Sequence, residues 1–182
     1  MYRQFAQAGL LLLAISAVPS ALAQSGPAPI PANLNVPPQH LRHVSAYALG
    51  SQVYVCTAQP DNPYSFGWTF KEPVVELIDE RGEQLGTHYA GPTWEWHDGS
   101  TVVGRVVERA DAPAAGAIPW LLLRATLSQG DGQLTRVTYI QRIETVEGSA
   151  PRDGCDQSTA DTEVAVPYAA TYVFYISREE PS

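Results

Sequence analysis

"IPWLLLRATLSQGDGQLTRVTYIQRIETV", residues 118–146, decides how the fold is read. Two apolar runs flank Gly130-Asp131-Gly132, which marks a turn between two strands. In the second run Val137, Tyr139 and Ile143 fall on one face, and Arg136 and Arg142 on the other. That period of two describes a strand with one buried and one wet side. The same pattern extends outward. "TWEWHDGSTVVGRVVE" (93–108) reads as a hairpin turning at Asp98-Gly99, and "VVELIDERGEQLGTHYA" (74–90) as another turning at Arg81-Gly82. "SQVYVCTA" (51–58) is β-branched and aromatic. "ATYVFYIS" (170–177) places Tyr172, Phe174 and Ile176 on one side. Helical periodicity is weak, and 15 prolines and 14 glycines interrupt the chain. The expected fold is all-β: a single-domain antiparallel β-sandwich or small β-barrel with meander hairpins.

The N-terminus has a different logic. Arg3, the apolar run "AGLLLLAISAV" (8–18), Pro19 and Ala21-Leu22-Ala23 have the layout of a signal peptide over residues 1–23, cleaved near Ala23. The run is short for a membrane span, so no transmembrane segment is expected in the mature chain. Gln24, not cysteine, follows the site, which disfavours lipid attachment there. Residues 24–38 hold five prolines and read as a Pro-rich extended leader. The all-β domain is expected over 39–178, with 179–182 as a C-terminal tail. Export to the periplasm or the extracellular space makes the two cysteines, Cys56 and Cys155, a disulfide, with the polar loop 147–161 tied back to the strand carrying Cys56. The net charge is −8 and Lys71 is the only lysine. Without a basic stripe, an acidic chain of this kind is a poor nucleic-acid partner.

"GSQVYVCTA" (50–58), "THYAGPTWEWHDGSTVVGRVV" (87–107), "GAIPWLLLRA" (116–125), "LTRVTYIQRIET" (134–145) and Gly154-Cys155 together resemble the secreted family of domain-of-unknown-function 3455. The likeness covers roughly residues 40–176. It implies an exported single-domain protein, of a family found in bacteria and fungi, with no settled activity. Some fungal members are labelled malate dehydrogenase. The residues do not support that label here: no GxGxxG follows a strand, and no βαβ alternation exists to hold a dinucleotide pyrophosphate.

The densest chemistry is "THYAGPTWEWHDGS" (87–100). On a strand, Glu95 and His97 share one face and Trp94 and Trp96 the other. His88, on the preceding strand, could approach the first pair, making His88, Glu95 and His97 the candidate ligands for zinc or copper. No HxH or HExxH spacing anchors them, and no cofactor is otherwise indicated. Trp94 and Trp96 are core or a stacking platform, and Trp120 is core. In a barrel, Tyr89, Trp94, Trp96 and His97 would form a ligand-binding mouth. Gly91-Pro92 turns the chain sharply. His40 and His43 in "HLRH" read as a surface turn. Ser100 beside His97 is turn chemistry rather than a dyad, there is no GxSxG elbow, and Glu95 has no marked carboxylate partner for glycoside hydrolysis. The residues favour a non-catalytic binder of a small molecule, or a protein of the envelope or extracellular space. A metal-dependent enzyme and a structural or interaction module, engaging an envelope component, are the alternatives.

Overall fold

Eight antiparallel strands wind up and down in chain order and close on themselves. They are β1 (His40–Gln59), β2 (Asn62–Ile78), β3 (Gln84–Tyr89), β4 (Thr93–Trp96), β5 (Thr101–Ala110), β6 (Trp120–Gln129), β7 (Val137–Glu147) and β8 (Glu163–Ser177). β8 pairs with β1 from His40↔Ser177 to Val55↔Glu163, which shuts the ring. The fold is thus the barrel of the two all-β forms expected. This computed structural model describes residues 27–178. The signal-peptide reading of 1–23 and the tail 179–182 lie outside the described residues. Among the described residues no helix is long and apolar enough to cross a membrane.

The three expected hairpins form, with Gly82, Gly99 and Gly130 at positive φ in their turns. The barrel is filled by alternation: Ala46 and Ala48 of β1 and Ala170 of β8 leave room for Trp94, Trp96, Tyr172 and Phe174. Small residues opposite large rings are how a narrow barrel packs without voids. Gly104 of β5 serves the same end. A Cβ there would sit 3.0 Å from the Trp94 ring and 3.3 Å from Ile140 and Leu123.

One end of the barrel is closed. Asp98 accepts hydrogen bonds from the Ser100 backbone N–H (2.9 Å), the Ser100 hydroxyl (2.6 Å) and the Gln133 N–H (2.8 Å). Leu134 N–H donates to the Ser100 oxygen, and Leu134 is fully buried. Two turns are thereby locked under the core, and Ser100 is structural.

Three sequence readings need correction. Val137, Tyr139 and Ile143 do not share a face. A bulge between Val137 and Tyr139 in the pairing with β8 shifts the alternation. Val137 and Ile140 point inward, while Tyr139 and Ile143 join a second cluster outside the ring. The same shift brings Arg142 onto the wall of an internal cavity instead of the wet face. The second correction concerns the Pro-rich leader. Residues Ala32–Leu34 form a 3-10 turn, and Leu34 is buried against Trp120, Leu122, Ile143 and Val173 on the outer surface. Buried Gln141 holds it there: its Nε2 donates to the Leu34 carbonyl (2.6 Å), and its Oε1 accepts from the Tyr175 hydroxyl (2.6 Å). The proline stretch from Ala28 onward is therefore docked on the barrel, not a free linker. "HLRH" is the start of β1 rather than a turn. His40 packs edge-on to Tyr139, and His43 Nε2 lies 3.0 Å from the Gln133 carbonyl.

Cys56 and Cys155 form a disulfide that fastens the loop 148–162 to β1. Within that loop Asp156 caps the 3-10 turn Gln157–Thr159.

Candidate functional site

The other end of the barrel is open and leads into a cavity of about 420 Å³. Its mouth is built from the β3–β4 turn (Ala90, Gly91, Pro92), the approach to β6 (Ile118, Pro119) and β2 (Phe70, Lys71, Pro73). Gly91 sits at φ +87, so the expected sharp corner forms the lip. Its walls are Trp94, Leu121, Leu123 and Val106 on the apolar side, and Gln52, Tyr54, His88, Arg142 and Tyr172 on the polar side. A mostly apolar concavity with a few convergent polar groups is the usual form of a small-molecule site.

His88 lies at its heart. It is paired in register with Trp94 across β3 and β4, so both face inward. The imidazole stacks on the Trp94 ring at 4.4 Å between centroids and 6° between planes, with the Tyr172 ring edge-on at 5.2 Å. Nδ1 is 2.8 Å from the Thr93 carbonyl. A carbonyl only accepts, so Nδ1 carries the proton and neutral His88 presents Nε2 as an acceptor. Burial pushes the His88 pKa down to about 4, with the nearby Arg142 charge pressing the same way and the Thr93 bond opposing. The ring is uncharged at neutral pH.

Arg142 reaches in from β7. Its Nε and Nη2 donate to the Pro119 carbonyl at 3.2 and 2.9 Å, and its charge lies close enough to the Tyr172 hydroxyl to oppose the effect of burial on that phenol. The Tyr172 and Tyr168 hydroxyls are 2.8 Å apart. Burial holds both phenols protonated, above their ordinary pKa. The Tyr54 hydroxyl donates to the Gly148 carbonyl (2.7 Å). Two donors of these lining residues, Gln52 Nε2 and Trp94 Nε1, are buried with no hydrogen-bond partner among the described residues. An unmet buried donor costs about 1–3 kcal/mol.

The four residues of the expected ligand mouth are not brought together. Trp94 lines the cavity, but Trp96 is core, packed edge-on to Phe174 at 5.7 Å. Tyr89 is on the outer surface, donating to Glu95 Oε2 at 2.9 Å. His97 is exposed beside the turn at the closed end. The expected metal trio is likewise not brought together: His88 points inward, Glu95 and His97 outward. The register explains this, since Glu95 is opposite Thr87 and not His88. Among the described residues no group of three or more His, Cys, Asp or Glu is placed to hold a metal ion. Sequence reading missed Gln52, Tyr54 and Arg142. Gln52 and Tyr54 alternate with Cys56 in β1, and that spacing was the available signal. Arg142 gave none, because a bulge carries it inside.

Neither a curated protein nor a solved structure matched the chain. A family model matched residues 37–176, a span that includes the eight strands but for the last residue of β8 and every residue of the cavity wall. On that match the chain belongs to the family described as protein of unknown function (DUF3455).

Proposed function

We propose that this protein is a non-catalytic binder that takes a small molecule into the open end of its barrel. The observation that carries this is the cavity itself: about 420 Å³, open at one end, apolar along Trp94, Leu121 and Leu123, with Tyr54, His88 and Arg142 converging on it. The His88–Trp94–Tyr172 ring cluster adds a rigid aromatic floor, and the docked leader and closed far end keep it fixed. We further propose that the protein acts outside the cytoplasm. The Cys56–Cys155 disulfide supports this, since such bonds persist in oxidising compartments.

Two fluorescent probes of one ring shape test the site: anilinonaphthalenesulfonate, an anion, and phenylnaphthylamine, which is uncharged. At least one should bind saturably at one per chain, with energy transfer from tryptophan. Val106→Trp, at the rim of the mouth, should abolish that binding while leaving the fold intact by circular dichroism. If neither probe saturates, or if both bind Val106→Trp as well as the parent, the cavity is not a binding site.

A further inference from the structure

The charge of the cavity wall runs against the charge of the molecule. The chain carries 19 acidic and 11 basic residues. Yet among the described residues no acidic side chain lines the cavity, while Lys71, Arg109 and Arg142 do. Lys71 is already compensated, at 2.6 Å from Glu163 and 3.7 Å from Glu72. Arg109 and Arg142 are not ion-paired with a carboxylate among the described residues. Arg142 is half-buried, and the hydrogen bonds of its Nε and Nη2 go to a neutral group, the Pro119 carbonyl. A guanidinium has five N–H groups, and that carbonyl engages only some of them. Taking such a charge from water without an opposite charge is costly.

We propose that the ligand is a small organic anion: a carboxylate or similar oxyanion on an apolar, ring-sized body. This rests on the reading of the cavity as a binding site. The anionic head meets Arg142 and Gln52, and Arg109 at the rim draws it in. The body lies against Trp94, Leu121 and Leu123. Charge-assisted hydrogen bonds in a site screened from water are the strong ones, which is why the head rather than the body sets the selectivity. His88 stays uncharged and adds an acceptor, so it does not provide the counter-charge.

The same two probes decide it, because they differ by one sulfonate. The anionic probe should bind about tenfold or more tightly than the uncharged one, and that preference should shrink as salt is raised. Arg142→Gln should remove the preference, with the fold of the variant checked by circular dichroism. Because Arg142 braces Pro119, Gln52→Glu is a second test: it keeps the side chain's shape, places a like charge on the wall, and should also remove the preference. Equal affinity for the two probes would overturn the anion assignment and leave the cavity as a neutral site. So would a preference that survives both substitutions. Failure of both probes to bind would remove the binding site itself.

Discussion

His88 is held without charge by its surroundings, and that has a consequence for stability. Unfolded, it takes up a proton near the ordinary value of 6.5; folded, only near about 4. Between those values the unfolded chain binds more protons, so acid favours unfolding. The contribution is intact above pH 6.5 and is lost as the pH falls towards about 4. At about 1.4 kcal/mol per pH unit the loss amounts to about 3 kcal/mol. Denaturant unfolding across that interval should show the slope, and His88→Gln should flatten it. An unchanged slope in the variant would assign the acid sensitivity to other groups. A second residue gives a steric test. Gly104→Ala puts a methyl against the Trp94 ring, Ile140 and Leu123, all of them buried. Overpacking of this kind costs about 1–3 kcal/mol, to be read as a lowered unfolding midpoint.

At the scale of elements, the docked leader is the part least visible in the sequence. Leu34→Ala should cost about 3 kcal/mol in denaturant unfolding, as expected for a fully buried leucine. A loss near zero would mean that the leader does not contribute to the core. The strands and their turns were legible because period-two alternation and Gly-containing turns are local properties. Alternation also placed Trp94 and Trp96 on the face opposite Glu95 and His97. The leader was not legible, since one leucine in a three-residue turn has no period. Its burial depends on distant outward-facing residues. A signal existed in Trp120-Leu121-Leu122-Leu123, buried at every position: such a run needs cover on both faces of its strand. The candidate metal trio lies apart for a related reason. Which residue of β4 stands opposite His88 depends on hairpin register, set by the turn at Gly91-Pro92, and composition does not encode it. Arg142 was misplaced by a bulge, which breaks the parity rule that the sequence reading relied on.

Across the whole molecule, the disulfide joins residues 99 apart in sequence, from β1 to the loop before β8. Chain-entropy arguments give about 4–5 kcal/mol for a loop of that length. The double variant Cys56→Ser with Cys155→Ser should lose about that much stability in denaturant unfolding; a loss well under about 1 kcal/mol would make the bridge incidental. The barrel seam follows a similar long path, since β1 lies beside β8 through most of its length. No shorter stretch of the chain can close the ring. Until β8 arrives, β1 has one unpaired edge, open to any other strand it meets. Pairings this distant in sequence are slow to find, so refolding belongs in the range of milliseconds to seconds rather than microseconds. A nascent or incomplete chain is exposed to strand-to-strand aggregation for all of that time, and the finished ring, with no free edge in its seam, is not.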